Sequence, residues 1–273
     1  PLFKTTDDCG VVLKYLPDES IYVVNGEQFN MKLTYKEDIF LLDKLFQLRS
    51  IRNQPTLLVK SDIEELHGKV VVVFGGTYGI GQEICEICRE YKTTLYVYSR
   101  STGVDVSNSQ SVRRVLSEIY EKEGRIDWIV NTAGILDKQP LANMSYEVVH
   151  RSIDINYLGN IIVAKESFSY LKESKGSLLF FTSSSYTRGR ALYSLYSSSK
   201  AAIVNFVQAL SEEWFEYDIR VNCINPERTK TPMRIQNFGN EPEDTLLEPK
   251  VVAIVSVNTL LSEMTGEVVD VKR

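Results

Sequence analysis

Tyr196 and Lys200 are the residues of this chain whose types and spacing point most directly to chemistry. Four residues apart on a helix, they share one face. A tyrosine phenol, with an ordinary pKa near ~10, relays protons poorly at neutral pH. A neighbouring ammonium favours the phenolate and brings that pKa down. The phenol can then pass its proton to a carbonyl oxygen as hydride reaches the carbon. Ser183 lies thirteen residues before Tyr196, and its hydroxyl can hold and polarise the same oxygen. It belongs to a hydroxyl run, Thr182-Ser183-Ser184-Ser185, so its choice rests on spacing. Tyr193 also precedes Tyr196, but only Tyr196 has a lysine four residues on.

Such a pair needs a hydride source, and a glycine-rich turn follows a run of valines. Gly75-Gly76-Thr77-Tyr78-Gly79-Ile80-Gly81 permits a tight turn and close approach of the backbone to a pyrophosphate at a helix N-terminus. The next strand ends in Tyr98-Ser99-Arg100-Ser101, with no acid until Asp105. A carboxylate there would bind a ribose 2′-hydroxyl. Arg100, with Ser99 beside it, suits a 2′-phosphate, and the expected cofactor is NADP(H). Asn131, Ala133 and Gly134 end the following strand and would shape the floor under the cofactor.

The elements that must position these residues alternate regularly. The patterning predicts strands over 70–74, 94–98, 127–130, 177–181 and 220–224, and helices over 80–90, 109–121, 146–171 and 196–215. Continuous apolar strands alternating with helices imply a doubly wound parallel α/β sheet of Rossmann type. Before them lie a small α/β fragment over 1–50 and a polar, Pro55-containing linker over 51–66. The fragment has strand-like runs at Val11-Val12-Leu13 and Ile21-Tyr22-Val23-Val24 and a helical pattern over 35–48. A short helix is expected near 63–66. The reductase-like part occupies 67–273.

Composition is that of an ordinary globular protein: 43% hydrophobic, 25% charged, net charge −5 and pI near 5.3. Nothing suggests a nucleic-acid or membrane surface, and no signal peptide is read, so a cytoplasmic setting is expected. The chain opens at Pro1 without an initiator Met and reads as a piece of something longer. Cys85 and Cys88 form a C-x-x-C, but with Ile80, Ile84 and Ile87 they repeat at helical spacing and read as a buried stripe; no metal site is expected.

In order and spacing, the Gly75–Gly81 turn, Asn131-Thr-Ala-Gly134, Ser183 and Tyr196-Ser-Ser-Ser-Lys200 resemble the short-chain dehydrogenase/reductase family. The resemblance covers residues from about Lys69 onward. It implies further roles. Asn156, in Ile155-Asn-Tyr-Leu-Gly159, matches a helix-borne Asn that positions a relay water toward the lysine. Asp105 and Val106 border the adenine. Pro226, Thr229 and Thr231 match the loop that binds the nicotinamide amide, Thr231 through its hydroxyl. Glu227 departs from the family's usual Pro-Gly there and puts the turn geometry in question. A homo-oligomer, dimer or tetramer, is also implied.

Arg188, Arg190, Arg228, Lys230 and Arg234 lie on the two loops that would flank the substrate. Guanidinium groups over a carbonyl suit a phosphorylated sugar; a solvated basic rim is the plainer alternative. The segments Thr5–Cys9, Tyr22–Gly26 and Asn30–Asp38 resemble the tail of the sugar- and polyol-phosphate cytidylyltransferases, in which Lys32 matches a phosphate contact. The two resemblances together are those of bifunctional bacterial enzymes that make CDP-ribitol for capsule and related polymers. They imply reduction of D-ribulose 5-phosphate; cytidylyl transfer would need upstream residues. Rival readings are a 3-oxoacyl thioester reductase and a non-catalytic nucleotide-binding module.

Overall fold

The computed structural model describes residues 8–26, 31–47, 51–52 and 66–273. The chain divides into two units, Pro1–Arg49 and Ser50–Arg273.

Among the described residues, the larger unit is built on seven parallel strands: β1 Ile51–Arg52, β2 Val70–Phe74, β3 Thr94–Tyr98, β4 Trp128–Asn131, β5 Ser177–Phe181, β6 Arg220–Pro226 and β7 Val268–Val271. Their spatial order is β1-β7-β6-β5-β4-β2-β3. Every strand pair is parallel, as the continuous apolar runs require. Alternate residues of β2 feed opposite layers. Val70, Val72 and Phe74 join one core with Ile129, Leu178 and Phe180; Val71 and Val73 join the other with Trp128, Val130 and Leu179. The first layer is closed by helices Ser109–Glu123, Gly159–Ser174 and Ser194–Glu213, the second by Gly79–Glu90 and Pro249–Leu261. The Cys85 and Cys88 thiols are buried with Ile84 and Ile87 in this second layer, and burial pushes them up to about 12 and about 11. Chain order reverses at β2, with β3 on one side and β4 on the other. Such a switch point opens a crevice at the carboxyl ends of the strands.

Several expectations need correction. The long helix over 146–171 is two helices, Tyr146–Ile153 and Gly159–Ser174, joined by a π-helical turn at Asp154–Leu158. Residue spacing does not show this, because Ile153, Ile155, Tyr157 and Leu158 keep the sequence apolar straight through the joint. Ile51–Arg52 forms an edge strand inside the span read as linker. The helix Pro249–Leu261 and the strand β7 carry nearly uniform apolar sequence, so periodicity did not mark them. No described helix is long and apolar enough to cross a membrane.

In the smaller unit, Val11–Leu13 lies within a helix, Asp8–Tyr15, and not a strand; a three-residue apolar run cannot distinguish the two. Ile21–Val24 has no regular structure, and Tyr22 and Val23 are 85% and 95% exposed. The helical pattern over 35–48 corresponds to a helix at Lys36–Gln47, whose Asp38 carboxylate accepts the Thr34 and Tyr35 amides at 2.8 Å each. Those bonds hold the Asp38 carboxyl below its usual range. Lys32 is exposed. Thr5, Asn30 and most of the helix expected near 63–66 lie outside the described residues.

Candidate active site

A cleft of about 600 Å³ opens at the carboxyl ends of the strands and gathers most of the candidate residues. Its floor is made where β2 and β4 end side by side. Gly75 has φ +82, and a Cβ there would lie 2.6 Å from both the Ala133 amide and Thr132 Oγ1. A Cβ on Gly81 would lie 2.5 Å from the Gly75 carbonyl and from Thr132 Oγ1. Side chains are therefore excluded at both positions, and the turn packs directly on Thr132. Gly79, at φ +63, completes the bend.

The helix that follows, Gly79–Glu90, has no side-chain cap at Tyr78 and no acid in its first turn. Its leading amides are thus available to an anion. Thr77 Oγ1 is buried without a hydrogen-bond partner beside these amides, and Thr77, Tyr78 and Ile80 all face the cleft. An orphan hydroxyl and uncapped amides around a Cβ-free turn fit a nicotinamide dinucleotide. Farther along, Ser99 and Thr102 cap each other around Arg100, and Ser99 and Ser101 share a hydroxyl bond at 2.7 Å. Arg100 is exposed and lines the cleft. Asp105 accepts from the Ser107 amide and hydroxyl at 2.9 and 2.6 Å. Val106 is buried against Gly159, where a Cβ would come within 2.9 Å of it.

Asn131 and Asn156 stand behind the floor instead of lining it. Asn131 donates to Asn160 Oδ1 at 2.9 Å and accepts the Ala133 amide at 3.2 Å. Asn156, fully buried in the π turn, accepts the Ile135 amide at 2.9 Å and donates to the Ile135 carbonyl at 2.9 Å. Gly134 sits over this pair: a Cβ there would lie 3.2 Å from Asn156 Oδ1 and 3.9 Å from Lys200 Nζ.

Ser183, Tyr196 and Lys200 converge on the opposite wall. The hydroxyl run resolves cleanly. Thr182 donates to the Lys200 carbonyl at 2.7 Å, Ser184 is exposed, and Ser185 donates to Ser183 Oγ at 3.3 Å. Ser183 is the member that hydrogen-bonds Tyr196. Lys200 Nζ donates to the Phe181 carbonyl at 2.7 Å and lies 5.4 Å from the Tyr196 ring centroid. The expected lowering of the phenol pKa by Lys200 does not occur within the protein itself. Burial pushes the Tyr196 hydroxyl up to about 12, opposed by the Ser183 hydrogen bond and the Arg234 charge. Burial also brings Lys200 down to about 8.

The loop after β6 closes the cleft. Glu227 does not occupy the left-handed region, so glycine is not required there, and its amide donates to the Val271 carbonyl at 3.0 Å. Thr229 is buried and pairs with Leu247. Thr231 caps the short helix Pro232–Phe238 by accepting the Arg234 amide at 3.2 Å. Pro226, Arg228, Thr229 and Thr231 all line the cleft. Arg188, Arg190 and Lys230 do not, contrary to expectation. Arg188 and Arg190 are exposed, with the Arg190 amide bonded to Ser197 Oγ at 3.2 Å, and Lys230 pairs with Glu243 at 2.6 Å. Tyr193 and Phe238 line the cleft unforeseen; an isolated aromatic in the polar stretch 234–248 was the available signal for Phe238.

A family model described as short chain dehydrogenase matches residues 101–242. The chain is 49% identical over 266 residues to the bifunctional ribulose 5-phosphate reductase/CDP-ribitol pyrophosphorylase Bcs1 of Haemophilus influenzae, covering 97% of this chain and 56% of that protein. It thus spans little more than half of that relative. It is 32% identical over 188 residues to an acetoacetyl-CoA reductase of Acinetobacter sp., covering 60% of this chain and 76% of that one. A crystal structure of a small-chain dehydrogenase in complex with NADPH superposes with a TM-score of 0.66 at 27% identity, covering 75% of this chain and 97% of that one. The chain belongs to the short-chain dehydrogenase family.

The packing at Gly81 gives a direct test. Gly81→Ala should destabilise the protein by about 1–3 kcal/mol, the usual cost of overpacking, and should weaken binding of either nicotinamide dinucleotide. Thermal unfolding and cofactor fluorescence titration measure both; wild-type values for each would refute the packing argument.

Proposed function

We propose that this short-chain dehydrogenase reduces D-ribulose 5-phosphate to D-ribitol 5-phosphate with NADPH. The observation that carries the reading is the 49% identity to a ribulose 5-phosphate reductase, which runs through 97% of this chain and so includes both of its units. Arg228 and Arg234 on the cleft wall agree with a phosphorylated substrate, and Arg100 agrees with NADPH over NADH. On this reading residues 1–50 are the C-terminal fragment of a cytidylyltransferase, 51–66 a linker and 67–273 the reductase. The product would feed CDP-ribitol and cell-surface polymer synthesis.

Each residue has a defined task. Bound NADPH supplies the hydride. Gly75, Thr77, Gly79 and Gly81 would hold its pyrophosphate, Arg100 its 2′-phosphate, and Thr229 and Thr231 its carboxamide. Ser183 donates a hydrogen bond to the ketone oxygen, and Tyr196 gives that oxygen its proton. A phenol held at about 12 keeps its proton at neutral pH, which suits reduction. Lys200, fixed on the Phe181 carbonyl, resupplies the proton, and Asn156 sets the backbone through which water would reach it.

Three outcomes test this. NADPH oxidation should be rapid with ribulose 5-phosphate and slow with unphosphorylated ribulose and acetoacetyl-CoA. The reverse preference would favour the thioester reading that the acetoacetyl-CoA reductase relative suggests. Arg100→Ala should weaken NADPH roughly 10- to 100-fold, the range of a charged hydrogen bond, and leave NADH nearly unchanged. Equal losses would show that Arg100 does not read the phosphate. Finally, Lys200 must be charged to pass a proton on, so kcat for reduction should stay level up to pH about 8 and fall above it. A rate that climbs through that pH would contradict the assignment.

A further inference from the structure

One cation at the substrate end of the cleft differs from all the others in its setting. Arg234 sits on the helix Pro232–Phe238 and lines the cleft. Its Nε donates to Glu241 Oε2 at 2.6 Å and its Nη2 to Glu241 Oε1 at 2.8 Å. The guanidinium carbon lies 3.9 Å from the Phe238 ring centroid. Phe238 is braced in turn by the Tyr193 ring, edge-on at 6.0 Å, and by Lys138 Nζ at 4.4 Å. The two partners of the ion pair are only 22% and 19% exposed, whereas Lys230 and Glu243 are 37% and 81% exposed.

This arrangement fixes the guanidinium by one edge and one face. Nη1 has no protein acceptor among the described residues, so the other edge keeps donors for a planar or tetrahedral oxyanion. A guanidinium locked in this way loses little rotamer freedom when it binds such a group. Arg234 lines the cleft together with Ser183, Tyr193 and Tyr196, which puts it in the space where the substrate would lie. Arg228 also lines the cleft, and Arg228 and Lys138 both act on the Glu241 carboxylate, so the anion that holds Arg234 has cations around it. The other cleft cations are placed otherwise: Lys200 is bonded to Phe181, Arg100 sits on the turn after β3, and Arg228 is exposed with no ion pair or ring contact to fix it among the described residues.

We propose that Arg234 is the specificity-determining residue that binds the phosphate of the substrate, with Glu241 and Phe238 as positioning residues that hold its guanidinium toward the cleft. The inference deepens the ketose-phosphate reading and rests on it. Arg234→Gln in the full chain should lower kcat/KM for ribulose 5-phosphate by roughly 10- to 100-fold, mostly through KM. Turnover of unphosphorylated ribulose should change far less. Glu241→Gln should raise KM for the phosphorylated ketose several-fold with kcat unchanged, and Glu241→Asp should restore part of it. NADPH affinity, unchanged in each variant, reports that the fold is intact; should Arg234→Gln not fold, the two Glu241 variants carry the test. Equal losses on both ketoses would overturn the proposal, because Arg234 would then serve Tyr196 or the helix alone. A lower KM in Glu241→Gln would also overturn it, since Glu241 would be competing for the phosphate position. If the wild type reduces no ketose phosphate, the functional reading fails by itself. Inorganic phosphate, titrated calorimetrically with NADP⁺ saturating, then decides the site. Binding lost in Arg234→Gln supports it; equal binding in both proteins, or none in either, overturns it.

Discussion

The structure depends on a shortage of space between the ends of β2 and β4. At Gly75 and Gly81 an added Cβ would fall within 2.6 Å of Thr132 or of the turn itself. The register that pairs Phe74 with Asn131 delivers Thr132 to this spot, and Thr132 bonds the Phe74 carbonyl through its amide at 2.9 Å and its hydroxyl at 3.0 Å. Because the turn rests on Thr132, the helix after it starts at a fixed height, with its free amides at the crevice mouth. The same segment continues into Ala133, Gly134 and Ile135, so one contact sets both the phosphate turn and the floor beneath the chemistry. Asn156 then imitates a neighbouring strand, taking the amide and carbonyl of Ile135 as a ladder would.

On the chemical wall, burial outweighs nearby charge. Tyr196 is pushed toward keeping its proton and Lys200 toward losing its own. Both shifts have the same first cause, removal of the charged form from water. The Lys200 ammonium is held by a short hydrogen bond to the Phe181 carbonyl, and the Arg234–Glu241 pair stands on the partly exposed wall of the same cleft. Charge acts at the rim, where it can select and steer, and neutral donors act at the reacting oxygen.

Much of this was legible in the residues. The apolar strands announced a parallel sheet because burial on both faces removes alternation, as the two core layers fed by Val70–Phe74 show. The glycine turn and the Tyr196–Lys200 pair were readable because spacing on one turn or one helix determines where they face, whereas Ser183, on the loop after β5, was read from its distance to Tyr196 in the resembled pattern. What spacing could not show is which basic side chains face inward. Arg188, Arg190, Arg228, Lys230 and Arg234 look alike in sequence. Only tertiary partners, Glu243 for Lys230 and Glu241 with Phe238 for Arg234, separate them. The helix Asp8–Tyr15 was missed for a different reason: its apolar run is too short for periodicity to speak.

The π turn at Asp154–Leu158 makes the long helix a pair of rods set out of phase. One additional residue in a helix rotates everything beyond it by roughly 100°. Tyr146–Ile153 and Gly159–Ser174 each present the face their own neighbours need only because the joint absorbs that rotation, and Asn156 sits at the joint. Loss of a single residue here would restore a regular helix with Val163, Ala164, Ser167 and Leu171 still turned to the core, but would remove the turn that aims Asn156 at Ile135. The extra residue therefore serves the floor of the cleft and not the packing of the helix, so a change of length here would be felt in the site before it was felt in the core.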